Sequence, residues 1–174
     1  MPFTPYHFGP GLLLKSLAPG KFSLSAFVVT QVVIDCEPLY FMIRSEYPVH
    51  RTMHTFLGAT IVGAVCATLI LGASKLFSKM MPNCFDRFHR SWPSISSEFS
   101  SSVGIFVGGI VGGASHPLLD GFMHGDMHPF WPWTDATPLL GMIPLDILYT
   151  GCLIAGILGI VLLSIPLLVE GRAG

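Results

Sequence analysis

Val103-Gly-Ile-Phe-Val-Gly-Gly-Ile-Val-Gly-Gly-Ala-Ser-His-Pro-Leu-Leu-Asp-Gly-Phe-Met-His-Gly-Asp-Met-His128 runs from a glycine-rich apolar segment into a cluster of histidines and aspartates. Three histidines and two aspartates fall between residues 116 and 128. Residues four apart share one face of a helix, so a continuous helix would align His116, Asp120, His124 and His128. Imidazole nitrogens and carboxylate oxygens at that spacing suit a zinc-like or manganese-like ion. Ionisable groups at the end of a membrane-length apolar segment are expensive, which makes a functional site the default reading. Gly121 and Gly125 weaken helix continuity. His124 and His128 therefore stay open between ligand and ordinary loop residue, and Asp126 reads as solvated.

Composition sets the surroundings. The chain has 174 residues, 51% hydrophobic and only 11% charged. Soluble domains carry about 25% charged residues, so this is an integral membrane protein. Nineteen glycines and fourteen prolines agree, since both are commoner in transmembrane helices than in soluble ones. A net charge of −1 offers no footprint for nucleic acid. Cys36, Cys66, Cys84 and Cys152 are scattered without a C-x-x-C pair, against both a disulfide scaffold and a thiolate metal site. The first ten residues lack a basic region and contain three prolines, so no cleavable signal peptide is expected. G-x-S-x-G, a P-loop and a dinucleotide fingerprint are all missing.

The apolar segments predict an all-α membrane bundle of four to five helices in one domain, residues 1–174. Residues 55–76 and 144–169 each exceed the roughly 20 residues that span a bilayer core. Residues 100–119 form a third span, whose Gly104-x-x-x-Gly108-x-x-x-Gly112 pattern lets helices approach closely. A widened substrate groove is the alternative use of those glycines. Residues 6–18 and 22–39 read as an N-terminal helical hairpin about the Pro19-Gly20 turn. The first arm is about 20 Å long and need not span. Arms of similar rise bring His7 to the level of Asp35. Thr4 is the expected cap and Pro5 the expected first residue of the first arm.

Lysines and arginines orient the bundle. Lys75, Lys79, Arg87 and Arg90 lie in the 75–100 loop, with Lys21 at the hairpin tip and Arg172 at the C-terminus. The other side holds Arg44 and Arg51. The positive-inside rule then puts the 77–100 loop in the cytoplasm and the 40–54 and 120–143 loops outside. His7, Asp35, Glu37, His50, His54, His116, Asp120, His124 and His128 all fall at the outer end.

Each of these has a plainer reading. Asp35-x-Glu37-Pro38 follows the apolar run Val28 to Ile34, where acids oppose the dipole of a helix C-terminus. A metal or an arginine would relieve that, or both acids are simply boundary charges. His50 and His54, four apart, would share a helix face, but without the glutamate of H-E-x-x-H there is no zincin signature. Arg51 could grip a phosphate or carboxylate, or merely reach lipid headgroups. Phe130, Trp131 and Trp133 suit an interfacial aromatic belt or a hydrophobic lid. His89, with Arg87, Arg90 and Trp92, reads as an amphipathic surface segment.

The ordered set Met-Pro-Phe-Thr-Pro-Tyr-His7, Asp35-x-Glu37-Pro38, His50-x-x-x-His54-Thr55 and His116-x-x-x-Asp120 resembles the YdjM-like group of small multi-pass, membrane-bound metal-dependent hydrolases. That group is distantly similar to zinc-dependent phospholipase C, which holds metal with an N-terminal histidine, aspartates and an H-x-x-x-D helix. The resemblance implies His7, Asp35, His54, His116 and Asp120 as ligands of a divalent ion, zinc first and manganese second. It implies hydrolysis of a phosphoester, or another ester, of a lipid or amphiphile. Glu37 or His50 would be the base, and Arg51 would hold the anionic substrate. The contrasting expectation is a metal-binding membrane protein without catalysis, whether transporter, sensor or metal-stapled scaffold. Transporter sites lie near the bilayer midplane, whereas these residues gather at one end.

Overall fold

The computed structural model describes residues 5–91, 98, 99 and 101–170. Regular structure among them is entirely helical. A 3-10 turn at Pro5–His7 leads into α1 (Phe8–Leu17), followed by α2 (Leu24–Ile43) and a second 3-10 turn at Thr52–His54. Then come α3 (Phe56–Met80), α4 (Pro82–Ser91), α5 (Ser102–Gly121) and α6 (Leu145–Glu170). Four stretches are long and apolar enough to cross a membrane: α2, α3, α5 and Leu145–Ile165 of α6. The protein is an all-α, multi-pass membrane bundle. The expected cap at Thr4, and Trp92 and Arg172, lie outside the described residues.

The helix starts are set by small hydroxyls. Ser23, Thr55 and Ser101 each accept a hydrogen bond from the backbone N–H three residues on, at 3.2, 2.9 and 3.1 Å. Each thereby satisfies one donor that a helix N-terminus leaves open.

The centre of the bundle is α5, wedged between α2 and α3 with a glycine stripe on each flank. A Cβ at Gly108 or Gly112 would strike the α2 backbone at Ser23 or Phe27. A Cβ at Gly109 or Gly113 would strike the α3 backbone at Gly63 or Ala59. The glycines therefore serve close helix packing rather than a groove. The outward faces carry Leu57, Ile61, Val65 and Leu69 of α3, and Leu153, Ile157 and Ile160 of α6, all exposed as a lipid contact requires.

The α1–α2 hairpin turns at residues 18–23, and Gly11 admits the Phe27 ring. On its other side α1 packs against α6, where Gly9 meets the Cys152 carbonyl and Gly159 meets Leu12. At the hairpin tip Lys15 is buried. Its ammonium donates to the carbonyls of Pro19 and Phe22, at 2.7 and 3.0 Å, and pairs with the Glu98 carboxylate. Glu98 also accepts from the Ser25 N–H at 3.0 Å, so one buried ion pair fastens this end.

Three local expectations are corrected. Helix α2 does not end with Asp35-x-Glu37-Pro38 or at residue 39; it runs through that proline to Ile43. Asp35 and Glu37 are thus helix-interior residues, and the C-terminal dipole argument does not apply to them. Residues 50–54 do not form an α-helical turn, since 47–51 are irregular and only Thr52–His54 is 3-10. Helix α5 ends at Gly121, so of the four aligned residues only His116 and Asp120 are helical.

The packing makes a contrast that mutation can read. Gly109→Leu is expected to cost at least about 1–3 kcal/mol, the usual penalty of overpacking, because the α3 backbone at Gly63 leaves no room for it. Gly72→Leu, where a Cβ meets open space, should leave stability within about 0.5 kcal/mol. Thermal unfolding of both variants in detergent measures the difference; equal midpoints would contradict the wedge.

Candidate metal centre

Four buried side chains from two helices and a turn converge at one end of the bundle. Asp35 comes from α2, His54 from the turn before α3, and His116 and Asp120 from successive turns of α5. His54 and His116 are completely buried. His116 Nε2 lies 3.2 Å from His54 Nε2, 3.2 Å from Asp120 Oδ2 and 3.4 Å from Asp35 Oδ1. His54 Nε2 lies 3.6 Å from Asp120 Oδ2. Donors about 2.0–2.2 Å from a tetrahedral ion stand about 3.3–3.6 Å from one another. The four measured separations, 3.2–3.6 Å, lie close to that size, and all four donors fall within 4.8 Å of one another.

The proton positions sharpen this. His54 Nδ1 donates to Glu37 Oε2 at 3.0 Å. Gln31 Nε2 donates to Ser115 Oγ at 3.1 Å, which leaves Gln31 Oε1 to accept from His116 Nδ1. With both Nδ1 atoms committed outward, the two Nε2 atoms are the positions left to face each other beside two carboxylates. Fixing the outer ring nitrogen is how proteins orient metal-ligating histidines. Burial holds the His54 imidazole below its ordinary pKa, in the neutral form that ligates.

His7 completes the group. Its ring sits edge-on to His116, 4.9 Å between centroids, and its Nε2 is 3.1 Å from Asp120 Oδ1. Yet His7 Nδ1 is buried with no hydrogen-bond partner among the described residues. Buried polar atoms left this way cost free energy unless something pairs with them. These residues fit a bound metal ion.

Beside this cluster lies a second. His50, Asp120 and His124 each offer a donor atom within 4.8 Å of the others'. The His50 ring stands 4.7 Å from His54 and 4.2 Å from His124, centroid to centroid. His50 Nδ1 pairs with Asp126 Oδ1 at 2.8 Å, and Asp126 Oδ2 accepts from the Val49 N–H at 3.1 Å. Burial alone would raise the Asp126 carboxyl, but His50 and these N–H donors hold it below its ordinary value. Burial lowers the His124 imidazole. A pocket of about 280 Å³ opens here, lined by His50, Arg51, Thr55, His128, Trp131 and Asp135 among others.

The chain thus brings together His7, Asp35, His54, His116 and Asp120. Glu37 lies behind His54, accepting from the N–H groups of Arg51 and Met53 at 2.9 and 3.0 Å. Arg51 stacks over the Phe41 ring at 3.5 Å and pairs through Nη2 with Glu46 Oε2 at 3.3 Å, on the pocket's rim. His128 turns away, donating from Nδ1 to the Asp135 carbonyl at 2.7 Å. Gln31 and Asp126 were missed as partners of site histidines; Asp126 is hydrogen-bonded, not solvated. Gln31 carried a usable signal, a polar residue one turn before Asp35 within an apolar span.

A helical membrane bundle with a polar cluster that could hold a metal ion defines the class. The chain matches the family model described as YdjM inner membrane protein over residues 7–172, and it belongs to that family. No curated protein and no solved structure matches the chain.

Gln31→Leu and Glu37→Gln should each weaken zinc binding about 10- to 100-fold, the usual effect of removing a partner that orients a ligand. Competition against a chromogenic chelator in detergent measures this. Unchanged affinity in both variants would detach them from the centre.

Proposed function

We propose that the protein is a membrane-embedded, metal-dependent hydrolase. Its divalent ion, zinc before manganese, is held by His7, Asp35, His54, His116 and Asp120. The substrate is a phosphoester, or another ester, of a lipid or amphiphile. One observation carries the reading: four donors at tetrahedral-edge separations, buried in the membrane end of the bundle and adjoined by an open pocket. A divalent ion in such a set activates water by bringing its pKa toward about 7.

The protein's own groups divide the remaining work. Glu37 and Gln31 hold the His54 and His116 rings, and Glu37, committed to three donors, acts as a positioning residue. Arg51 at the pocket's rim supplies the anion-binding group, held flat by Phe41 and released to substrate from Glu46. Of the three residues expected to do chemistry, His50 is both buried and in the pocket wall. Exposed Trp131 and Trp133 suit the headgroup level, where an amphiphile would arrive. Lys75, Lys79, Arg87 and Arg90 lie at or beyond the far end of α3, which supports a centre facing outward.

A second reading has its own observation. Without His7, the donors of Asp35, His54, His116 and Asp120 alone complete a tetrahedron, and closed sites of that kind are structural. The ion would then staple the bundle without turnover.

Purified full-length protein should hold stoichiometric zinc or manganese, and His116→Ala or Asp120→Ala should remove it, together with hydrolysis of phosphoester amphiphiles in mixed micelles. Metal retained in both variants would end the assignment. Metal with no turnover on any ester would favour the staple.

Orientation is checked separately. With Cys36 and Cys84 replaced, Thr134→Cys should react with an impermeant maleimide from outside the cell, and Lys79→Cys only after permeabilisation. The reverse pattern would invert the orientation and leave the cluster intact.

A further inference from the structure

The four-donor centre is closed, whereas the His50, His124 and Asp120 group beside it is not. His124 is only half-buried, and His50 forms part of the pocket wall. Asp126 holds His50 Nδ1 at 2.8 Å, leaving Nε2 as the nitrogen available to ligate. This repeats what Glu37 does for His54 and Gln31 for His116. The segment bearing His124 is fastened: its N–H donates to the Asp120 carbonyl at 2.9 Å. Farther along, Phe56 N–H donates to Pro129 O at 2.8 Å and Gly141 N–H to Phe122 O at 3.2 Å. A pair of packed imidazoles needs neither an acid behind one ring nor a shared carboxylate between them.

We propose that His50, His124 and Asp120 hold a second divalent cation, next to the first and sharing its Asp120 carboxylate. This rests on the metal reading of the first centre. Three protein ligands with a position left open are the pattern of catalytic metal sites, and four are that of structural ones. The division of labour follows. The enclosed ion organises α2, α3 and α5, while the pocket-facing ion meets the substrate. Carboxylate-bridged ions about 3.5–4 Å apart suit in-line displacement at phosphorus, where attacking and leaving oxygens both need charge neutralisation. The substrate class narrows accordingly to phosphoesters.

Zinc titration of the chelator-stripped, detergent-purified full chain tests this, with bound metal read by elemental analysis. Wild type should take up two zinc ions per chain. His124→Gln and His50→Gln should each keep one, and Asp126→Asn should weaken the second about 10- to 100-fold with the first unmoved. His124 lies in a loop, so its variant should fold; retained binding of one zinc would also report an intact bundle. A second measurement uses manganese alone: at saturation, electron paramagnetic resonance should give the exchange-coupled spectrum of a pair. One zinc in wild type, unaffected by His124→Gln, would overturn the second site and spare the first. Loss of all zinc in both histidine variants, or an isolated six-line manganese signal at saturation, would also overturn it. No zinc in wild type would overturn both readings.

Discussion

Two imidazole nitrogens, His54 Nε2 and His116 Nε2, face each other at 3.2 Å in a fully buried place, with the carboxylates of Asp35 and Asp120 against them. Carboxylates gather in an apolar interior only with compensating charge or hydrogen bonds, because the desolvation of each is otherwise expensive. Much of the fold can be understood as what it takes to build that cluster. Its donors come from α2, α5 and the turn that opens α3, so these three helices must approach until short side chains can reach one point. The two glycine stripes of α5 permit this by letting backbones touch where other residues would hold them apart.

The same demand accounts for the far end. A bundle packed through glycine gains little from large side chains, and its outward faces meet lipid rather than water. Burying Lys15 with Glu98, and capping α2 and α5 with Ser23 and Ser101, sets helix starts and register where packing alone would let them slide. Register matters because His116 and Asp120 are one helical turn apart, and a shift of one residue in α5 would turn both away from Asp35 and His54.

Membrane class and spans were legible because hydrophobic length is a strong signal, and the i, i+4 pair His116 and Asp120 because α5 is regular through Gly121. Residues that act from irregular backbone were harder to read. His50 and His54 meet through a loop and a 3-10 turn, not the helix face their spacing suggests. His124 returns to His50 after the helix has ended, which periodicity cannot anticipate. The end of the apolar run at Ile34 suggests a helix end near Asp35; the helix continues to Ile43, and the carboxylate is buried at its middle. Gln31 and Asp126 were overlooked because neither is needed as a ligand. Their importance lies in which nitrogen of a neighbouring ring they occupy, and sequence spacing carries no information about tautomers.

Tautomer control also separates the two halves of the site. Neutral acceptor Gln31 sits behind His116, whereas acids Glu37 and Asp126 sit behind His54 and His50. An acid behind an imidazole makes it a more basic, more charge-donating ligand than an amide does. The carboxylate-backed rings lie on the pocket side, His50 in its wall and His54 next to it. The amide-backed ring faces the enclosed interior, where a further buried negative charge would cost most. Such a gradient keeps added negative charge out of the enclosed interior and places it beside the pocket, where water can screen it.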